Sequence, residues 1–168
     1  MPNRNAETDA IKLLVADHRK VEGLFADFEK ARSARRKEKL VHEICTELKI
    51  HATIEEEIFY PALRGKIDED MLDEAMVEHD GAKMLINDLE SAAPDEDYYD
   101  AKVKVLSEQI EHHVGEEEKQ RDSMFAQARK ADVDLEALGG RMAARKAELM
   151  EQAKAGGLPP AVPQAVHV

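Results

Sequence analysis

Two five-residue stretches, His51-Ala-Thr-Ile-Glu55 and His113-Val-Gly-Glu-Glu117, decide how this chain is read. Side chains at i and i+4 share one face of an α-helix, so each stretch aims an imidazole and a carboxylate at one point. Both stretches interrupt apolar stripes. The second predicted helix carries Ile44, Leu48, His51, Glu55, Ile58 and Ala62, and the fourth carries Val103, Leu106, Ile110, His113, Glu117 and Met124. Steps of three and four keep one seam facing a bundle interior.

Two further stripes each carry one histidine. The first helix reads Ile11, Leu14, His18, Val21, Phe25 and Phe28, and the third reads Leu72, Ala75, His79, Ala82, Ile86 and Leu89. The polar breaks in the seams are thus His18, His51, His79, His113, Glu55 and Glu117, plus Gln120 one turn beyond Glu117. A single core histidine is ordinarily a hydrogen-bonded residue. Four of them with two carboxylates need compensation, because unpaired buried charge is very costly. A metal site supplies it.

Depth agrees with angle. With turns near residues 34, 66 and 95, the histidines of successive helices lie at closely matched distances from the turn that joins them. At a rise of about 1.5 Å per residue the mismatches are roughly 2–3 Å in an antiparallel bundle. The expected fold is all-α: an up-down-up-down antiparallel four-helix bundle over residues 8–130, an additional C-terminal helix over 131–155, and a disordered tail over 156–168.

Composition supports one helical domain. The chain has 168 residues, of which 36% are charged and 4% aromatic, with no Trp. That suits solvated amphipathic helices better than a β-sandwich. A net charge of −12 argues against nucleic-acid and anionic-membrane partners. The single Cys45 excludes an internal disulfide and a cysteine-based zinc site, and it reads as a spectator thiol one residue off the seam. Met1 is followed by polar residues with no apolar signal region, so the expected location is the cytoplasm.

Punctuation fits the same plan. Residues 1–7 read as a frayed leader, with Thr8 or Asp9 as N-cap. A basic run from Arg32 to Lys39 covers the first turn, Pro61 and Gly65 end or kink the second helix, and Pro94 with Asp95 and Asp97 marks the third turn. Asp132 or Asp134 caps the last helix, Leu135 to Lys154, whose Leu138, Met142 and Leu149 are expected against the bundle. Gly156-Gly-Leu-Pro-Pro-Ala-Val-Pro reads as disorder.

Four imidazoles and two carboxylates form a nitrogen–oxygen set suited to iron, manganese or zinc and unlike a calcium cage. Two carboxylates from opposite helices favour a dinuclear centre. His42 points away from the seam, His112 is turned about 100° from it, and His167 lies in the tail. Glu56, Glu57, Glu116 and Glu118 read as a solvated face, Glu22 as a weak candidate beside Val21, and Tyr60 as packing.

The ordered series His, His-x-x-x-Glu, His, His-x-x-x-Glu resembles the hemerythrin-like (HHE cation-binding) family. The residues that carry the resemblance are Asp17-His18-Arg19 with Val21 and Leu24-Phe25, His51 to Pro61, Glu78-His79-Asp80, and His112 to Glu118. The resemblance implies a four-helix bundle with a non-haem di-iron centre bridged by oxygen and two carboxylates. It implies His18 and His51 on one iron, His79 and His113 on the other, and Glu55 and Glu117 bridging. Oxygen-carrying hemerythrins have a further histidine where this chain has Ala75, and a bridging Asp where it has His-x-x-x-Glu. One iron is then a ligand short, to be completed by Glu22, Glu56, Glu116, Tyr60 or water.

Three functions follow from this reading. The first is a di-iron protein binding oxygen or related small ligands for sensing, storage or stress response. The second is an oxidoreductase consuming peroxide or nitric oxide at the same centre, and the third is a metal-free helical interaction module.

Overall fold

Asp9 opens the first helix: its side chain accepts a hydrogen bond from the Lys12 N–H, satisfying one of the unpaired donors of the first turn. The structure, a computed structural model, describes residues 9–167, so the expected leader and the alternative cap Thr8 lie outside the described residues. Helix α1 spans Ala10–Lys30, and α2 spans Ala34–Ile54 behind an N-cap on Ser33. A π-helical segment, Glu55–Phe59, continues α2 into the short α3, Tyr60–Leu63. Helix α4 spans Glu69–Glu90 and α5 spans Tyr99–Val114, again followed by a π-helical segment, Gly115–Lys119. Helices α6, Met124–Lys130, and α7, Leu135–Gly156, complete the chain, the latter capped by Asp134.

Helices α1, α2, α4 and α5 form a ring of neighbours, with α7 laid over α1 and α2. Their apolar side chains collect at the two ends of the ring. One cluster joins Ile11 and Leu14 to Ile54, Phe59, Leu72 and Phe125. The other joins Phe25 and Phe28 to Leu40, Ile44, Ile86, Leu89 and Leu106. The start of α1 therefore packs with the end of α2 and the start of α4, as short connections between antiparallel neighbours require. The four seam histidines fall between the clusters, so apolar packing encloses the polar layer from both sides.

The expected C-terminal helix is present, with Leu138, Met142 and Leu149 buried in the first cluster. It therefore shares the bundle's core. Two expectations are corrected. The fourth stripe does not run unbroken to Met124. The chain leaves the helix at Gln120, which is extended and exposed, and Met124 is buried from the separate α6.

The tail is the second correction. Residues 158–166 lie as an extended strap across α2 and α4 rather than free. Lys49 Nζ donates to the Leu158 and Pro159 carbonyls, Lys83 Nζ donates to the Val162 carbonyl, and Asn87 exchanges two hydrogen bonds with Ala161. Asp80 accepts from the backbone N–H groups of Gln164, Ala165 and Val166. The reason is satisfaction of buried polar groups. Lys49, Asp80 and Lys83 are all buried, and the strap's backbone supplies partners that composition cannot reveal.

Candidate metal centre

The structure brings all six predicted residues together. His18, His51, His79, His113, Glu55 and Glu117 are buried, and they divide into two groups of converging ligand atoms, one of His18, His51 and Glu117 and one of Glu55, His79 and His113. Within each half the two imidazole Nε2 atoms are 3.2 Å apart. Each carboxylate faces both halves. Glu55 Oε1 lies 2.9 Å from His51 Nε2 and 3.4 Å from His79 Nε2, while Glu117 Oε1 lies 3.1 Å from His113 Nε2 and 3.4 Å from His18 Nε2.

Each imidazole is held from behind by a carboxylate on its Nδ1. Asp17 takes His51 at 3.1 Å, Glu118 takes His18 at 3.0 Å, Glu56 takes His79 at 3.3 Å, and Glu78 takes His113 at 2.8 Å. An ionised carboxylate only accepts, so Nδ1 must carry the proton. Each Nε2 then turns a lone pair inward. This outer ring is what orients ligand histidines in metal sites.

The arrangement fits a metal. With the Nε2 lone pairs turned inward, both oxygens of Glu55 and Oε1 of Glu117 are buried without a donor, a condition that costs about 1–3 kcal/mol per polar group or more for charge. Two nitrogens 3.2 Å apart can share one ion at the roughly 2.1 Å typical of metal–imidazole bonds. Charge points the same way. The six carboxylates Asp17, Glu55, Glu56, Glu78, Glu117 and Glu118 are met by three side-chain cations, Lys146, Lys83 and Arg19, leaving three negative charges for other cations to balance.

The metal-free centre responds by holding protons. Burial lowers the affinity of His51 for a proton, but the Glu55 charge and the Asp17 and Glu55 contacts outweigh it and push the imidazole up to about 10. His113 moves in the same direction against burial, driven by Glu117 and Glu78. Burial raises Asp17, and His51 with Lys146 more than reverses it, holding the carboxyl below its ordinary value. Glu56 and Glu78 are lowered in the same way, by His79 with Lys83 and by His113 respectively.

Tyr60 also enters the centre. Its Oη donates to Glu117 Oε2 at 3.1 Å and lies 3.2 Å from His79 Nε2 and 3.3 Å from His113 Nε2. The expectation of packing alone is corrected, and the cause is the π-helical segment. Hydrogen bonds from i to i+5, here Tyr60 N–H to the Glu55 carbonyl, bring residue 60 back to the face of residue 55. In an α-helix that place belongs to Phe59. The second π segment carries Glu117 itself. Ala75 is buried in the first apolar cluster.

The remaining candidates separate cleanly. Glu56 and Glu118, read as a solvated face, are corrected to partners of His79 and His18. Glu57 does face outward and pairs with Arg145. Glu22 pairs with Arg19 at the surface, and His42 and His167 are exposed. His112 is exposed and, with Glu78 and Glu116, forms a group outside the buried layer. Cys45 is fully buried, with its thiol against the Ile86 carbonyl. Asp17, Glu56, Glu78 and Glu118 had a signal in the sequence: an acidic residue precedes His18 and His79, and a second glutamate follows Glu55 and Glu117.

Comparison with known proteins gives the fold relatives. A solved HHE cation-binding domain-containing protein from Mycobacterium kansasii, a homolog of Rv2633c, superposes with a TM-score of 0.73 at 25% identity, over 89% of this chain and 94% of that one. A protein described as a DNA nickase from Nostoc sp. is 27% identical over 113 residues, which are 67% of this chain. This chain spans only about a third, 31%, of that relative's length. The hemerythrin HHE cation-binding domain matches residues 9–121, from the cap of α1 to just past the second π segment, and the chain belongs to that family.

Proposed function

We propose that this protein is a non-haem dinuclear metal protein, with iron as the resident metal, that binds oxygen or a related small ligand for sensing, storage or stress response. The observation that carries the reading is the pair of buried carboxylates, Glu55 and Glu117, each facing one histidine of either half, with both Glu55 oxygens and Glu117 Oε1 left without a donor when the Nε2 lone pairs point inward. His18 and His51 would hold one ion, His79 and His113 the other, and Glu55 and Glu117 would bridge. Two iron ions so held supply redox chemistry and open positions for a small ligand; manganese or zinc would fit the same donors.

The chain's own groups do the rest. Asp17, Glu56, Glu78 and Glu118 hold the imidazoles in one tautomer, and Phe125, stacked on His18 with centroids 6.0 Å apart, closes the centre on the α6 side. Elemental analysis with an absorption spectrum of the isolated protein tests the reading. Roughly two ions per chain are expected. No iron after iron-replete expression, together with no uptake under anaerobic loading, overturns it.

A second reading, an oxidoreductase consuming peroxide or nitric oxide, is favoured by Tyr60, whose hydroxyl places a proton donor at the His79–His113 half. Steady-state turnover that survives removal of free iron separates it from the first. The metal-free interaction module requires that His51 and Glu55 be dispensable for both folding and partner binding. No described helix is long and apolar enough to cross a membrane, and we place the protein in the cytoplasm as part of this proposal.

A further inference from the structure

A cavity of about 520 Å³ opens between α2, α4 and α7, with the strap as its remaining wall and His18, His51, His79 and His113 on its floor. Its size is out of proportion to a diatomic ligand. One water, and by extension a small ligand of similar size, takes ~30 Å³. Two ions and a bridging atom at that allowance each remove less than ~100 Å³. What remains lies inside the range of roughly 300–1,000 Å³ typical of sites for small organic molecules.

The lining states the chemistry. Val21, Leu48, Ala82, Ile86, Ile110 and Leu149 make the walls apolar. The three cations that reach the cavity are already paired: Lys49 with Glu90 at 2.8 Å, Lys83 with Glu56 at 2.6 Å and Arg145 with Glu57 at 2.8 Å. Asp17 is likewise matched by His51 and Lys146. With every rim charge matched, the walls above the metal centre offer nothing to recognise an ionic organic ligand, which would have to be desolvated there without compensation.

The strap gives the cavity its fourth wall. The three prolines at 159, 160 and 163 restrict its backbone, so ordering it costs less conformational entropy than an ordinary tail would. Its polar contacts run backbone to side chain, onto Lys49, Asp80, Lys83 and Asn87, and Leu158 at its start rests against the first apolar cluster. The rest of the strap, 159–166, can therefore lift away while the buried members of both clusters stay packed.

We infer that this cavity is a binding site for a neutral, apolar organic molecule, with residues 159–166 as its removable wall. The site shares its floor with the proposed metal centre but stands without the metal. The test is titration of the full chain, metal-free and metal-loaded, with the neutral fluorophore N-phenyl-1-naphthylamine. Saturable 1:1 enhancement with a blue shift is expected in both forms. Ala82→Phe fills the cavity and weakens binding at least tenfold; should the larger side chain disturb folding, Ala52→Leu, at another lining position, does the same more mildly. Asn87→Ala loosens the strap and speeds dissociation at least tenfold in stopped flow. Absence of saturable binding, or unchanged affinity in both filling variants, overturns the site, and an unchanged dissociation rate overturns the strap as its wall. Metal content, counted in parallel, reports separately on the metal reading.

Discussion

Replacing Asp17 by Asn tests whether the outer carboxylates set the metal affinity of this protein. Asp17 is 5% exposed, accepts from His51 Nδ1 at 3.1 Å and also pairs with Lys146. The amide keeps the shape but removes the charge, freeing the His51 ring to change tautomer and leaving Lys146 unmatched. Loss of such a partner costs about 10–100-fold in metal affinity. At about 1.4 kcal/mol per tenfold, that is roughly 1.4–2.8 kcal/mol. Asp17→Asn belongs near the top of the range, because water cannot replace a partner this buried. Glu78, whose side chain is 23% exposed, belongs near the bottom on Glu78→Gln.

The effect should also be confined to one half of the centre. Asp17→Asn and Glu118→Gln weaken the His18–His51 half, while Glu56→Gln and Glu78→Gln weaken the His79–His113 half. Competition with a chromophoric chelator, using cobalt(II) on the full chain, resolves the two binding steps. Glu57→Gln, at the exposed pair with Arg145, is the control and leaves both steps in place. Equal weakening of both steps by Asp17→Asn, or a loss in Glu57→Gln as large as its own, would refute the reasoning.

Further outcomes follow from the same geometry. His113→Ala should cost at least one metal by elemental analysis, while His112→Ala, at an exposed side chain, leaves the count unchanged; Glu117→Gln and Glu116→Gln should divide in the same sense. Removing metal should lower the melting temperature. At a free concentration about 100 times Kd, binding to the folded state contributes about 2.7 kcal/mol, and at about 2–4 °C per kcal/mol for a chain of this size the drop is roughly 5–11 °C by calorimetry. Met142→Ala should destabilise by about 2–5 kcal/mol in denaturant unfolding, because Met142 is fully buried where α7 joins the first cluster. Burial, with the Glu90 charge, raises the Cys45 thiol to about 12, so the native protein should not react with a disulfide reagent at pH 8, where the unfolded chain reacts fully.

Relations within one helix are legible in the order of the residues. The period of the α-helix fixes which residues share a face, so the seams, the depth of the histidine layer, and the choice of His113 over His112 as the buried residue all follow from spacing. All six stripe positions of α1 and all six of α4 are buried. The same logic fails at Tyr60 and Gln120, where π-helical segments change the period after Glu55 and around Glu117, so that α-helical counting points at the wrong residue.

Relations between helices are decided only by the tertiary structure. Asp17 meets His51, Glu56 meets His79, Glu78 meets His113, and Glu118 meets His18 across helix boundaries. Each pairing depends on the rotation and axial offset of two helices, which amphipathic pattern sets to within a turn and packing sets to within an ångström. The strap marks the same division. Its composition resembles that of a disordered tail, yet buried Lys49, Asp80 and Lys83, which lie far away in sequence, require hydrogen-bond partners that its backbone provides. By itself the sequence determined which six residues share the buried polar layer, because they are written at helical spacing on single elements. The orientation of their side chains, the hydroxyl beside them and the cavity above them came from the packing of one element on another.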